Sequence, residues 1–388
     1  MPVLHVCIVA PTASSILPGS TAKKAGGAEM QLNHLGKALV RRGARVSFIV
    51  EDVGQREVEH VDNLELVRCP FRYYGQSWRY YPADTCRLIS LVRNLTPDVL
   101  LFKTPRTLAL SLAAARVGLA TKVVRIMAHD SDCDLRFWPP QNMPYLVGSQ
   151  MMNGTVFQSE SQAALARRSL GLRGRVIPNI AHGMPLPAES DPYPALNAPR
   201  KDIDCLWVGT CNANKAPLDF LKVVRACPDA RCAMIMAPGS DEALQREVSS
   251  QASSLANLDY RGFVPYREIG DFYRRSRLVV HTSHIEGFPN VFLQAWECGA
   301  PVVAVRVDPD GVIARHGLGR VSGSVAGAIA DVRALLADES IRIAIGEACR
   351  DYLIRTHSPD AVIDQYLDYF AELGVKNIRS TVSKTGHS

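Results

Sequence analysis

The chain has 388 residues, which exceeds the usual size of a single hydrophobic core, so two domains are expected. Hydrophobic residues make up 47% and charged residues 21%, and this excludes a disordered or fibrous chain over most of the length. Lys and Arg number 44 against 38 Asp and Glu, and the resulting net charge of +6 suits anionic small molecules, a membrane surface or nucleic acid alike.

The sequence lacks the marks of export or membrane insertion. No apolar run approaches the roughly 18 to 20 residues that a membrane-spanning helix requires. The first residues carry His5 and no basic leader, so we expect a buried first strand rather than a signal peptide. The ten cysteines include no Cys-x-x-Cys pair, which favours reduced core thiols over disulfides or zinc ligands. A cytoplasmic protein is therefore predicted.

Short apolar runs alternate with segments of helical period in the first half, the pattern of parallel sheets covered by crossover helices. The first βαβ unit is predicted from a strand that begins at His5, a helix over residues 28–42 and a second strand over residues 46–50. Gly43 is expected to end the helix. Further buried strands are predicted at residues 99–103, 122–127, 154–158 and 175–177.

Residues 181–201 contain five prolines and little apolar periodicity, so we interpret them as a linker. The alternation then restarts, with strands predicted at residues 205–210, 230–238, 258–265, 277–283 and 300–307 and an all-helical stretch over 340–373. The predicted fold class is α/β, with two doubly wound Rossmann-like domains over residues 1–180 and 202–355. Residues 356–388 are expected to form a helix and tail that pack back on the first domain. The carboxyl ends of both sheets are expected to meet at a central cleft.

The strongest functional signal lies in residues 281–305. Glu286, Gly287 and Phe288 are predicted to form a tight loop after a strand, and Pro289 to be the first residue of a helix that Gly299 ends. Such a loop can present backbone N–H groups to a diphosphate or a sugar, and Glu286 can accept hydrogen bonds from two hydroxyls. An ordinary strand–loop–helix corner with a surface glutamate would give the same pattern.

This segment resembles the signature of the retaining nucleotide-sugar glycosyltransferases of family four (glycosyl transferases group 1), which have the GT-B architecture. The resemblance extends to Gly26-Gly27-Ala28-Glu29, Val176-Ile177-Pro178-Asn179, Trp207-Val208-Gly209 followed by Lys215, and Gly262-Phe263-Val264. It implies that the second domain binds the nucleotide diphosphate sugar and that the first holds mainly the acceptor. The donor-binding residues that it implies are Gly26, Gly27, Gly209, Thr210, Lys215, Glu286, Gly287, Phe288, Pro289, Asn290, Val291 and Gln294.

Two departures from that signature change the charge of the expected site. The family has a second glutamate eight residues after the first, where this chain has Gln294, which keeps one acceptor oxygen but no charge. Glu297 lies about one helical turn further and does not replace it. The family also has an arginine where this chain has Thr210, so Lys215 is expected to stabilise more of the charge on the leaving diphosphate. Alternatively, Lys215 is a solvated lysine of a polar loop.

The first domain offers weaker candidates. Gly26 and Gly27 precede a helix whose N-terminus is expected to face the cleft, although a glycine pair could also be a flexible loop tip. The family often has a histidine that contacts the sugar in the region of His129, so His129 is a candidate with Asp130 as its neighbour. The alternative is a histidine that only makes local hydrogen bonds.

Three further patterns in the sequence have more than one interpretation. Residues 71–81 interleave aromatic residues with arginines, which indicates an acceptor-binding loop, a membrane-facing patch or a half-buried loop, and not a nucleic-acid surface. His281, His284 and Glu286 do not fall on one face, so no metal site is predicted. The Asp-x-Asp pairs at 132–134 and 308–310 are interpreted as turns or caps.

The resemblance implies a retaining hexosyltransferase that moves a sugar from a UDP- or GDP-sugar to a glycan, lipid-linked or small-molecule acceptor. It implies Lys215, Glu286 and His129 as catalytic residues and no cofactor besides the donor substrate, with contact to a membrane limited to its periphery. Gln294 and Thr210 leave a second hypothesis open, a nucleotide-sugar-binding protein of this architecture without catalysis. A third hypothesis is a nucleotide-sugar epimerase on the same architecture.

Overall fold

The computed structural model of the protein describes residues 3–16, 26–70, 81–103, 108–134, 143–181 and 201–380. The chain forms two compact units, the first comprising Met1–Ile180 and Pro359–Ser388 and the second Ala181–Ser358. The proposed linker lies outside the described residues except for Ala181 and Lys201. Each unit has its own sheet and its own hydrophobic core.

The sheet of the first unit is almost entirely parallel. Its described strands are β1 (His5–Val9), β2 (Arg45–Glu51), β3 (Val58–Val61), β4 (Leu64–Cys69), β5 (Val99–Phe102), β6 (Lys122–Ile126), β7 (Gly154–Phe157) and β8 (Arg175–Val176). They lie in the order β3-β4-β2-β1-β5-β6-β7-β8, and the β3–β4 pairing is antiparallel. All five residues of β1 are buried because helices cover both faces of such a sheet.

The helices of this part of the chain follow the strands as crossovers. They are α1 (Gly27–Arg41), α2 (Tyr81–Leu95), α3 (Ala109–Ala115), α4 (Met143–Gln150) and α5 (Glu160–Leu170). Leu32, Leu35 and Leu39 of α1 are buried on one side of the helix. Gly43, two residues past its end, has a φ of +83°, a conformation that glycine adopts without steric cost.

The sheet of the second unit is fully parallel in its described strands. These are β9 (Ile203–Thr210), β10 (Cys232–Ala237), β11 (Leu258–Arg261), β12 (Ser276–His281), β13 (Val302–Ala304) and β14 (Gly319–Val321). Their order is β11-β10-β9-β12-β13-β14. The chain therefore proceeds outward from β9 in one direction and from β12 in the other. The crevice beyond the carboxyl ends of two such strands is where doubly wound sheets bind their ligands.

The described helices of the second unit are α6 (Pro217–Ala226), α7 (Glu242–Ser253), α8 (Tyr266–Arg275), α9 (Asn290–Glu297), α10 (Val312–His316), α11 (Val325–Ala337) and α12 (Glu339–His357). Pro289 is the cap residue that precedes α9, so its prediction as the first helical residue is wrong by one position. An extended φ/ψ at a cap residue is compatible with proline, whose φ is fixed near −65°.

The last helix, α13 (Pro359–Glu372), belongs to the first unit. Val362, Ile363 and Phe370 are buried in the same core as the leucines of α1. The Oη of Tyr369 accepts a hydrogen bond from the backbone N–H of Thr155 at 3.1 Å. The core of the first unit is therefore built from both ends of the chain.

The predicted α/β class with two Rossmann-like sheets is confirmed. Of the ten cysteines, nine are buried, as expected for core thiols, and Cys86 is exposed. Among the described helices, none combines the length and the apolar character that crossing a membrane requires.

Candidate functional site

The candidate site lies at the carboxyl ends of β9 and β12, where the order of the second sheet reverses. Gly209 and Thr210 are the last residues of β9, and Thr210 is exposed. Lys215 ends the 3-10 helix Ala213–Lys215 that follows. Glu286 lies in the loop between β12 and α9. Residues 71 apart in sequence thus reach one place because β9 and β12 are hydrogen-bonded neighbours.

Lys215 and Glu286 form an ion pair through Nζ and Oε1. The Glu286 side chain is 6% exposed and the Lys215 side chain 25% exposed. A buried carboxylate requires such a partner, since an unpaired charge in the interior is costly. The alternative interpretation of Lys215 as a solvated lysine is therefore wrong.

The two loops that carry this pair are joined by hydrogen bonds of Asn214. Its Oδ1 accepts from the backbone N–H of Ile285 at 3.0 Å, and its Nδ2 donates to the carbonyl of Ile285 at 2.9 Å. The backbone N–H of His284 donates to the carbonyl of Asn214 at 2.8 Å. Lys215 and Glu286 are each next to a residue of this junction, so it limits how far their backbones can separate.

Thr282 connects the loop of Lys215 to the sheet. Its hydroxyl donates to the carbonyl of Lys215 at 2.6 Å and accepts from Nε1 of Trp207 on β9 at 2.8 Å. Arg306, two residues after β13, donates to the carbonyl of Thr282 at 3.2 Å and to Asp219 at 2.9 Å. Three adjacent strands therefore fix the backbone position of Lys215.

The loop from Glu286 to Pro289 rests on an aromatic cluster. Phe288 is 7% exposed, and its ring packs at about a right angle to those of Phe292 and Trp296, at centroid distances of 6.4 and 6.2 Å. Gly287 and Pro289 are also buried. The Phe288 side chain thus anchors the loop in the core, and the backbone of the loop is the part that could form hydrogen bonds with a ligand.

The remaining predicted donor residues of this unit lie on α9. Asn290 and Val291 form the first turn of the helix and are partly exposed, whereas Gln294 is 7% and Glu297 3% exposed. A diphosphate near the start of α9 would gain from the helix dipole. Gln294 lies one turn further along.

The surroundings of Glu286 favour its charged form. Burial would raise the pKa of the carboxyl, but the imidazole N–H of His281, 3.7 Å from Oε1, and the charge of Lys215 outweigh burial and hold the pKa well below its ordinary value of 4.5. Burial, together with Lys215, lowers the pKa of His281, against the opposing effect of Glu286. Near neutral pH the site therefore combines a carboxylate, a lysine and an uncharged imidazole.

We expect the ion pair to make the stability of the protein depend on pH. The pKa of Glu286 is lower in the folded chain than in the unfolded chain, so its charge stabilises the fold above about pH 4.5 and this contribution is lost as pH falls further. The difference in free energy of unfolding between the wild type and Glu286→Gln should therefore be constant at higher pH and shrink below pH 4.5. Urea denaturation across the pH series measures it.

Glu247→Gln on α7 is the matched control for this series because it removes one negative charge from an exposed position of the same unit. If the curves of the wild type and Glu286→Gln stayed parallel from neutral pH to pH 3, the depressed pKa of Glu286 would be contradicted.

The remaining predicted residues belong to the first unit. Gly26 is the cap residue of α1 and Gly27 its first residue. His129 is exposed and follows β6, and its backbone N–H donates to Asp132 at 3.2 Å. Asp130 accepts a hydrogen bond from Gln162 at 3.3 Å. The roles of Gly26, Gly27 and His129 stay predictions.

Other predictions concern residues with simpler roles. Asp132 accepts from the backbone N–H groups of Ala128 and His129, and Asp308 from those of Ile313 and Ala314, so both act locally as caps. Within the described residues there is no cluster of three or more His, Cys, Asp or Glu side chains that could hold a metal ion. The aromatic and arginine segment at 71–81 lies outside the described residues except for Tyr81.

Sequence reasoning missed the residues that hold the pair in place. Asn214, Thr282 and Arg306 were not predicted, although each follows the carboxyl end of a strand, where ligand sites gather in such sheets. That position was the available signal. The partners of these residues depend on which strands are neighbours, and single-sequence patterns do not give the strand order.

Comparisons with known proteins identify the family of the chain. Residues 25–181 match the family described as Glycosyltransferase Family 4, and residues 202–341 match Glycosyl transferases group 1. The chain belongs to the group 1 glycosyltransferases of GT-B architecture. No curated protein sequence matches it significantly.

Solved structures are similar over nearly the whole chain. Sucrose-phosphate synthase from Thermosynechococcus elongatus has a TM-score of 0.76 at 16% identity, covering 96% of this chain and 99% of that chain. HepE from Anabaena, in complex with UDP and glucose, has a TM-score of 0.71 at 15% identity, covering 95% and 100%. Trehalose 6-phosphate synthase from Burkholderia multivorans has a TM-score of 0.69 at 13% identity, covering 96% and 99%. At these identities the similarity concerns the fold.

Proposed function

We propose that the protein is a retaining hexosyltransferase that moves a sugar from a nucleotide diphosphate sugar to a hydroxyl of an acceptor. The observation that carries this proposal is the Lys215–Glu286 pair at the switch point of the second sheet, beside the N-terminus of α9. The family matches favour transfer over the binding-protein and epimerase hypotheses. The HepE structures hold UDP or UDP-glucose, which supports a uridine nucleotide as the first donor to try.

In the proposed complex the diphosphate lies near Lys215 and the backbone N–H groups of Gly287 and Phe288. Lys215 would stabilise the negative charge that develops on the leaving phosphate, and Glu286 would accept hydrogen bonds from hydroxyls of the donor sugar. Gln294 would accept one hydrogen bond from the ribose. Thr210 carries no charge, so the lysine is the principal cation of this arrangement.

Transfer is proposed to occur on one face of the sugar. The bond between the anomeric carbon and the diphosphate oxygen breaks, and the acceptor oxygen bonds to the anomeric carbon on that same side. The acceptor proton passes to the leaving diphosphate. No resident metal or cofactor takes part in this scheme. His129, Gly26 and Gly27 are proposed to contact the sugar or the acceptor from the first unit. A glycan or a lipid-linked saccharide, presented at a membrane surface, is the proposed acceptor class.

The test is a transfer assay with UDP-, GDP- and ADP-sugars. A thermal-shift screen first selects the nucleotide, because a ligand that binds the folded state raises the melting temperature. We expect release of the nucleoside diphosphate and, by NMR, a product with the anomeric configuration of the donor.

Each other outcome of this assay would indicate a different function for the protein. Inverted product would refute retention, and an epimerised nucleotide sugar would support the epimerase hypothesis. Tight binding without turnover, with every acceptor offered, would support the binding-protein hypothesis.

A further inference from the structure

His281 is buried beside the ion pair without a hydrogen bond of its own. It is the last residue of β12, is 4% exposed, and packs edge-on against Phe292 at a centroid distance of 4.9 Å. Among the described residues, neither ring nitrogen has a hydrogen-bond partner. Its Nε2 lies 3.7 Å from Oε1 of Glu286, beyond normal hydrogen-bond length.

Such a side chain is a costly choice for this position. Leaving a buried polar group without a partner destabilises the fold, whereas an apolar side chain of similar size would avoid that cost. Orphaned polar groups in native proteins call for a functional explanation. The neighbours of the ring indicate which function to seek.

The carboxylate determines which nitrogen of His281 carries the proton. The imidazole is uncharged near neutral pH, so one of its nitrogens is a donor and the other an acceptor. Oε1 of Glu286 lies on the Nε2 side of the ring, and its negative charge favours the tautomer with the proton on Nε2. The ring therefore directs an N–H group at the oxygen that Lys215 already contacts.

Donor binding would change the partners of that oxygen. A diphosphate that recruits the ammonium group of Lys215 draws it away from Glu286, whose side chain is only 6% exposed. Weakening the pairing of a buried charge is costly, because the carboxylate cannot recover the lost interaction from water. A donor that is already in place, less than 1 Å beyond hydrogen-bond length, can offset part of that cost.

We propose that His281 is a positioning residue: it forms a hydrogen bond with Glu286 when the diphosphate of the donor draws Lys215 away from that carboxylate. This inference rests on the proposed function. In the free protein Lys215 pairs with Oε1 of Glu286, and the imidazole of His281 makes no hydrogen bond to the described part of the chain. In the complex Nε2–H donates to Oε1, which keeps the carboxylate aligned for the hydroxyls of the sugar. The stability lost to the unbonded ring is then recovered as affinity for the donor.

The test separates affinity from stability with two variants. His281→Leu fills the space without a donor, and His281→Gln restores an N–H group at about the position of Nε2. Titration calorimetry with UDP, and in parallel with GDP, measures the dissociation constant, and thermal melts measure stability. We expect His281→Leu to melt at the same or a higher temperature than the wild type yet bind the nucleotide about 10-fold more weakly. His281→Gln should bind within about 3-fold of the wild type.

His60→Leu is the matched control, because it removes an exposed imidazole from β3, outside the candidate site, and should leave binding unchanged. Wild-type affinity in His281→Leu, equally weak binding in both His281 variants, or a lower melting temperature of His281→Leu would each overturn the proposal. A wild-type protein that binds none of the nucleoside diphosphates would instead refute the proposed function, and this inference with it.

Discussion

Lys215→Ala is expected to lower kcat/KM for sugar transfer by a factor of about 30 to 1000, which corresponds to about 2–4 kcal/mol of transition-state stabilisation. The reason is that Thr210 leaves Lys215 as the principal cation near the leaving diphosphate. Its backbone is held by Thr282 and by the side chain of Asn212, so its charge is already in position before the reaction begins. Such preorganised charges give large effects when they are removed. Steady-state kinetics with the donor selected by thermal shift provides the measurement.

Arg246→Ala is the matched control for this loss, since it removes a cation from an exposed position on α7 of the same unit. It should leave kcat/KM unchanged. Melting temperatures of both variants show whether the fold persists, because Lys215→Ala also leaves Glu286 without its ion pair. Near-normal turnover of a folded Lys215→Ala protein would show that the lysine does not stabilise the leaving group.

Trp296→Ala is expected to reduce the free energy of unfolding of the second unit by about 3–5 kcal/mol, a typical cost of deleting a large buried aromatic side chain. Trp296 is fully buried, and its ring centroid lies 5.6 Å from that of Phe292 and 5.7 Å from that of Tyr352. Its Nε1 donates to the carbonyl of Leu318 at 3.3 Å. Urea denaturation followed by far-UV circular dichroism measures the change.

Two further variants calibrate that result. Trp296→Phe keeps a ring and loses the hydrogen bond, so it should cost clearly less than the alanine variant. Ile354→Ala on α12 removes a side chain that is 44% exposed and should change stability by less than about 0.5 kcal/mol. If Trp296→Ala cost less than 1 kcal/mol, the aromatic cluster beneath the Glu286 loop would not be a rigid support.

The sequence was sufficient to predict most of both sheets, because continuous apolar runs separated by helical segments are a strong signal of buried parallel strands. It did not reveal β3, β4 or β14. The four residues of β3 alternate between exposed and half-buried positions, and β14 has three residues, two of them exposed. In β4 the half-buried Glu65 and Arg68 interrupt the buried residues, so none of the three strands forms a continuous apolar run. Such strands are defined by their partners rather than by their own composition.

The site was predictable in part for a similar reason. Family motifs indicated Lys215 and Glu286 singly, but their ion pair follows from the adjacency of β9 and β12 and from the junction at Asn214. From the sequence, His281 was considered only as one of three possible metal ligands, and no metal site was predicted there. Its significance depends on burial and on a distance of 3.7 Å, and neither is visible in a pattern of residue types.

The placement of α13 in the first unit has a consequence for how the protein is made. A ribosome releases residues 3–180 long before residues 359–372, and the core of the first unit lacks Val362, Ile363 and Phe370 until the whole second unit has been synthesised. The second unit, continuous in sequence, can complete its own core as soon as it emerges. During translation the order of completion is therefore reversed, and the amino-terminal half is the part of the nascent chain that a chaperone would have the longest time to engage.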